Sequence, residues 1–423
     1  MQSTSQPLTR ITTANVRRRL RAGELKRVGL AFASFFLLLC SYYILRPVRD
    51  EMGVQSGVDR LQWLFTGTFL FTLLTVPIFG WAVKRVPRVY LLPVVYGFLI
   101  INLLAFYAMF AAGATVVTAA AFFIWLSVFN LFVVSLFWSN VSDSFSTEQA
   151  HRLYGYIAAG GTAGALTGPA VTVLLAAHVS TAHLLALSAV LLAAATACMV
   201  ALRCERPAEA QSASRPVGGS ILAGITLAMK LPSLRGIALL VICYSAVSTV
   251  LYVELADLVG KTYSDSGERT AFFATIDLAV NGLALTMQML GTRRIVQHFG
   301  LRIALAVVPL VVLAGLGALG AWRTAILLAA VQIIHRAGEF SLVRPGREMI
   351  YTTVDTESRY KAKNFIDTAV YRANDAASAW LVAAIRSAGL NAVVFAAIPA
   401  AAVWLATGFR IGRRHDRNHD RNE

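Results

Sequence analysis

The chain has 423 residues, 57% of them hydrophobic and only 14% charged, with a formal net charge of +16 and a mean hydropathy of +0.63. Long runs without charge exclude a soluble globular protein and specify an all-α polytopic membrane protein, because each spanning helix needs about 20 mostly apolar residues. The basic excess does not point to nucleic acid, since the Lys and Arg residues gather beside the apolar runs, where membrane topology explains them.

About twelve apolar runs are long enough to span, at roughly 28–48, 61–83, 89–111, 116–140, 153–177, 181–203, 235–259, 271–291, 301–321, 323–343, 364–386 and 389–410. They predict a basic arm (1–27), a six-helix half (28–203), a linker (204–234), a second six-helix half (235–410) and a tail (411–423). Basic residues cluster before the first span (Arg17, Arg18, Arg19, Arg21, Lys26, Arg27) and after the last (Arg410, Arg413, Arg414, Arg417). They recur after even-numbered spans, as in Lys84, Arg85 and Arg88 or Arg293, Arg294 and Arg302. Both termini are therefore expected on the cytoplasmic side of a bacterial inner membrane. The polar, basic stretch before the first span does not read as a cleavable signal, and the first span is expected to serve as its own anchor. Cys40, Cys198, Cys204 and Cys243 show neither metal spacing nor a disulfide framework, and no cofactor is expected.

The first span ends in SYYILRPVRDEM. Helical spacing puts Tyr42, Arg46 and Arg49 on one face, and Pro47 loosens the backbone there. Two readings stand: the arginines face a wet cavity, or they snorkel to the outer interface and pair with Asp50 and Glu51. The second span leads into FGWAVKRVPRVYLLP and the eighth into LGTRRIVQHFGLRIAL, each with a Gly, a basic pair, a turn residue and another Arg. These matching loops resemble, in degenerate form, a loop motif of the major facilitator superfamily, a fold built from repeated halves. The linker, with Pro207, Pro216, Gly218 and Gly219, then tethers the halves.

Before the fifth span lies TEQAHRLYG, containing Glu148. Within that span Gly160, Gly164 and Gly168 share a face, which reads as tight helix packing. Its Gly155, Gly164 and Gly168-Pro169 also match part of a glycine signature on the fifth helix of facilitator antiporters. The seventh span ends in YVELADLVGKTYSD, where Glu254 and Lys261, two turns apart, form an ion pair or touch substrate. In the eighth, Asp277 lies one turn from Asn281, either as a proton or cation site or as a structural partner for a base on another helix.

The densest charge is in HRAGEFSLVRPGREMIYTTVDTESRYKAKNFIDTAVYRAND, His335 to Asp375. Residues Arg344 to Arg359 read for the most part as a solvated basic loop. From Lys363 onward the helix re-enters the bilayer, so Asp367, Arg372 and Asp375 are expected to face a protein-lined cavity, since each costs a few kcal/mol in lipid.

Four of these segments, ILRPVRDEM, EQAHRLYGY, YVEL and REMIYTTVDTESRYKAKNFIDT, together resemble the ATP/ADP translocase (nucleotide exchanger) family, itself related to the major facilitator superfamily. The resemblance implies a twelve-helix facilitator that exchanges ATP and ADP. It puts the family's charged transport residues at Arg49, Glu148, Glu254, Glu348, Lys361, Lys363 and Asp367. The chain departs from the family where Arg49 replaces a Lys and where Tyr371-Arg372-Ala373-Asn374-Asp375 replaces a Gly and Lys run.

The leading expectation is an alternating-access exchanger of phosphate-bearing anions, with Arg46, Arg49, Lys361, Lys363 and Arg372 as cations and Glu254, Asp277 and Asp367 holding them when substrate is absent. Tyr42, Tyr371 or Phe272 is available to stack a base. The alternatives are a proton-linked facilitator using Asp277 or Glu254, and a non-transporting membrane protein on the same scaffold. No Walker-type loop or catalytic constellation points to an enzyme. The partners implied are a small anionic solute and the lipid bilayer, with no nucleic acid and the chain acting as a monomer.

Overall fold

Each apolar run forms a helix because the bilayer core offers no other partner for backbone N–H and C=O groups. The computed structural model describes residues 22–205, 231–354, 362–389 and 393–419. In the first half these are α1 (Ala22–Gln55), α2 (Leu61–Arg85), α3 (Arg88–Ala111), α4 (Val116–Ser142), α5 (Thr147–Leu175) and α6 (Thr181–Cys204). The second half holds α7 (Pro232–Thr262), α8 (Ser266–Leu290), α9 (Thr292–Ala321), α10 (Ala325–Tyr351), α11 (362–387) and α12 (Ala397–His419). Among the described residues, eleven helices are long and apolar enough to cross a bilayer. The charged α11 is not in that set.

Several boundaries differ from those read in the sequence. Helix α10 continues past the expected residue 343 to Tyr351, by way of a π turn at Glu339–Val343. Pro345 lies just beyond that turn; it has no N–H, and its ring clashes with the preceding turn of a regular helix, which the wider π turn relieves. The expected loop from Arg344 is therefore helical as far as Tyr351. Helix α12 is displaced toward the C-terminus, beginning after a 3-10 turn at Val393–Ala396 and running beyond residue 410 to His419. Its Asp416 explains the extension: the carboxylate accepts the backbone N–H groups of Leu301 (3.0 Å) and Arg302 (3.2 Å), where Gly300, at φ 77°, breaks α9.

The first half is built on the contact between α1 and α5. A Cβ at Gly160, Gly164 or Gly168 would lie 2.5, 2.3 or 2.7 Å from the carbonyl oxygens of Phe32, Phe36 and Cys40. Four-residue spacing on both helices keeps the contact in register, so the glycine stripe is a packing seam.

The two faces of the bundle differ in what joins them. On the face that carries the termini, ion pairs among the described residues join helices of one half: Arg152 with Glu24, and Lys26 with Glu205 at 2.6 Å. On the opposite, distal face they cross between halves. Arg269 of α8 donates to both oxygens of Glu51 of α1, at 2.6 and 2.7 Å. Trp380 of α11 donates to Thr66 of α2 at 3.0 Å and stacks edge-on against Trp63. The halves are thus clamped at the distal face.

Candidate functional site

Between the halves lies a cavity of about 550 Å³, walled by α1, α2, α4, α7, α8, α10 and α11. Its floor is near Asp50 and Leu255, close to the distal ends of α1 and α7, and its mouth is at Glu348 and Asp367 on the terminal face. Side-chain exposure rises from 7% at Asp50 to 52% at Glu348, which marks the direction of opening.

Six arginines line this space: Arg46, Arg49, Arg336, Arg344, Arg347 and Arg372. Each is already held by an acid. Arg49 pairs with Asp50 at 2.5 Å, Arg344 with Glu339 at 3.0 Å and Arg347 with Asp367 at 2.9 Å. Arg372 reaches Asp375 at 3.5 Å and donates to the Ser127 carbonyl of α4 at 2.9 Å. Asp277, fully buried on α8, holds Arg336 at 2.6 Å and meets Arg46 at 3.6 Å. That last contact crosses from the first half to the second at mid-membrane. Charges buried this way are tolerable only because they are paired.

Aromatic rings complete the walls. Tyr42 and Tyr371 line the cavity, and Phe65, Phe123 and Tyr252 form an edge-to-face cluster near the floor. Phe272 packs against Tyr263 and does not line the cavity, although its neighbour Phe273 does.

A two-half helical bundle with a polar cavity at its centre and one face closed is the architecture of a facilitator, and the sequence carries the same signal: the model for the Major Facilitator Superfamily matches residues 31–343. The chain belongs to that superfamily. Curated protein sequences yield no match to this facilitator. Solved structures share its fold. A bacterial homologue of the human lysosomal transporter Spinster, inward-facing and unoccupied, is 14% identical, with 94% of this chain and 98% of that one covered and a TM-score of 0.63. The nucleoside transporter NupG is 13% identical (92% and 98% covered, TM-score 0.63). The human organic anion transporter MFSD10 is 15% identical (92% and 100% covered, TM-score 0.60). The ATP/ADP translocase family is not singled out by these likenesses.

Within this facilitator, the residues singled out in the sequence separate into distinct places. Arg46, Arg49, Glu348, Asp367, Arg372 and Asp375 line the cavity, and Asp277 stands directly behind Arg46 and Arg336. Lys363 bonds Glu348 at the mouth, at 2.7 Å. Asn281 donates across the halves to the Ala165 carbonyl of α5 at 2.7 Å, so it is an interhelical fastener. Glu254 and Lys261 do not pair with each other. Glu254 is fully buried and accepts from Arg323 and from Arg386 (2.9 Å), while Lys261 bonds Asp257 at 2.8 Å. Both lie toward the distal end of α7, off the cavity. Glu148 sits exposed in the first turn of α5, beside a Ser146–Gln149 capping box, where an acid favours the helix N-terminus. Lys361 lies outside the described residues.

Arg336, Glu339, Arg344 and Arg347 carry much of the site, yet none stood out as a ligand in the sequence. Arg344 and Arg347 read as loop because the apolar run ends at residue 343. The available signal was their spacing: Arg336, Glu339, Arg347 and Arg344 recur at intervals of three to five residues, as on one helix face interrupted by a π turn.

A second cavity, of about 590 Å³, lies at the distal face between the start of α2 and the end of α11, with Gln62, Val253, Ala379 and Trp380 on its walls. On α2 and α7 its walls adjoin those of the central cavity, where Phe65 and Tyr252 face the other side.

Proposed function

We propose that this facilitator is an alternating-access exchanger of anionic organic solutes, with phosphate-bearing metabolites as the leading class. The single observation that supports this most is the set of six arginines around one cavity of about 550 Å³, a volume within the range of small-molecule sites. In a confined, partly desolvated space, guanidinium groups make strong bidentate contacts with phosphate and carboxylate. The narrower assignment to ATP and ADP rests on the four sequence segments that resemble the nucleotide exchangers, and Tyr42 or Tyr371 is placed to stack a base.

On this reading the terminal face, which adjoins the basic loops, is the cytoplasmic one, and the cavity opens inward. Each arginine of the cavity rests on an acid. A solute anion takes an arginine in the acid's place, and the closed intermediate is passed most readily when those charges are satisfied. Exchange, as against net flux, rests on the resemblance to the nucleotide exchangers.

Proton coupling is the second reading. Asp277 and Glu254 are each already held by two guanidinium groups. Asp375, with contacts of 3.5 Å to Arg372 and 3.2 Å to Thr249, is the less committed carboxylate for such a role.

Counterflow in proteoliposomes tests the proposal: purified protein, internal unlabelled ATP or ADP, external labelled ATP, with and without an imposed pH gradient. Uptake that requires internal nucleotide and ignores the gradient is expected. Uptake into empty vesicles driven by the gradient would favour proton coupling, and absence of flux for every phosphate-bearing anion tried would sink anion exchange.

A further inference from the structure

The cavity is nearly self-neutralised. Among the described lining residues six arginines face five carboxylates, and Asp277 behind them is a sixth. At a closely held pair, a solute bearing only negative charge must pull the arginine off its acid and leave that acid buried without a partner. Such stranding costs more than the new bond returns unless something else takes the acid.

Two groups escape this penalty. Arg46 touches Asp277 at 3.6 Å, beyond hydrogen-bonding distance, while Arg336 holds the same carboxylate at 2.6 Å. An anion that binds Arg46 leaves Asp277 with its closer partner. Asp375 is 3.5 Å from Arg372, which also donates to the Ser127 carbonyl at 2.9 Å. A cation that binds Asp375 leaves Arg372 with that carbonyl. The other lining pairs described above, at 2.5 to 3.0 Å, offer no comparable release. The loosely held base is thus on α1 in the first half, and the loosely held acid is on α11 in the second.

We propose that the transported solute is a zwitterion, with its phosphate or carboxylate on Arg46 and a protonated amine on Asp375. This rests on the reading of the central cavity as the transport site for anions and narrows its substrate class to anions that also carry an amine. The two contacts join opposite halves, so one solute molecule draws them together across the open terminal face. A mono-signed anion reaches Arg46 alone and lacks that pull.

The test uses matched probes on the purified full-length protein: phosphoethanolamine against ethyl phosphate, and dialanine against N-acetyl-dialanine. Protection from thermal unfolding in detergent gives affinity, and the same compounds loaded inside vesicles give counterflow. In at least one pair the amine-bearing member is expected to bind about tenfold or more tightly than its match. Asp375→Asn should remove that difference by weakening the amine-bearing member alone, and Arg46→Gln should weaken both members. Equal binding of matched compounds in the wild-type protein, a comparison that needs no variant to fold, overturns the zwitterion and leaves anion exchange standing. A difference that survives Asp375→Asn overturns the assignment of the amine to Asp375. If neither these probes nor ATP and ADP bind or exchange, the anion-transport reading falls and the zwitterion with it.

Discussion

Glu51 of α1 and Arg269 of α8 form a two-pronged ion pair between the halves, with N–O distances of 2.6 and 2.7 Å. Glu51 is fully buried, and Arg269 is fixed further by donating to the carbonyls of Tyr263 and Ser264 at 3.0 Å each. Its two bonds cross the distal face, and they must break before that face can open. Removing one partner of a buried pair costs about 3–5 kcal/mol, and here the cost falls on the distal-closed state. Glu51→Gln is therefore expected to shift the protein toward distal opening. In a cysteine-free background, a cysteine placed at Ala379, a buried wall residue of the distal cavity, should react with an impermeant maleimide about tenfold faster or more in the Glu51→Gln protein. An unchanged rate would mean that the pair does not hold the gate.

In the sequence Glu51 reads only as a local partner for Arg46 and Arg49, and its pairing with Arg269 is not legible there; the reason is physical. Hydropathy depends on residues close together in the chain, so it located the helices and showed that charge from Asp367 to Asp375 needs a protein-lined space. Pairing depends on residues brought together by the fold, and Glu51 and Arg269 are 218 positions apart. Arg46 and Arg49 show the boundary well. Both line the cavity; Arg49 still pairs with its neighbour Asp50, as an interfacial arginine would, whereas Arg46 reaches Asp277 on α8. The helical face shared by the arginines and the local Arg49–Asp50 pair were legible, but Asp277 as the partner of Arg46 was not. The π turn that carries α10 past residue 343 was equally hidden, because a π turn has no hydropathy signature.

Asp277→Asn would leave Arg46 and Arg336 facing each other without a counter-charge. Both guanidiniums are largely buried, with side-chain exposures of 17% and 9%. A loss of about 3–5 kcal/mol in unfolding free energy is expected, read as a lowered melting temperature in detergent. Adding Arg336→Gln should return part of that loss, since it removes one of the stranded charges. Wild-type melting in Asp277→Asn would deny the carboxylate its structural role.

The bases named in the sequence should not contribute equally to transport. Lys363 and Glu348 are 37% and 52% exposed, and pairs of that kind contribute about 0–1 kcal/mol. Lys363→Ala should lower counterflow less than about fivefold. Arg49, 16% exposed and stacked over Phe123, holds the buried Asp50 at the cavity floor, and Arg49→Ala, which strands that acid, should lower counterflow by more than about tenfold. The reverse order would mean that transport depends on the mouth of the cavity more than on its floor.

The seam between α1 and α5 gives the last prediction, because it separates packing from chemistry. At Gly164 an added Cβ meets the Phe36 carbonyl oxygen at 2.3 Å and the Cys40 backbone nitrogen at 3.0 Å. Those atoms belong to helix backbone and cannot rotate aside, so α1 itself must shift. Overpacking of this kind costs about 1–3 kcal/mol, and Gly164→Val is expected to lower the melting temperature. It should also impair exchange, because α1 carries Arg46 and Arg49 into the cavity. Gly155 lies on the same helix with nothing within 4 Å of its added Cβ. Gly155→Ala relieves the helix of a flexible residue, a gain of about 0.5–1 kcal/mol, and should leave exchange unchanged. Melting curves and counterflow on the two variants decide the matter: if Gly164→Val behaves as Gly155→Ala does, the close approach of α1 and α5 does not set the position of the arginines.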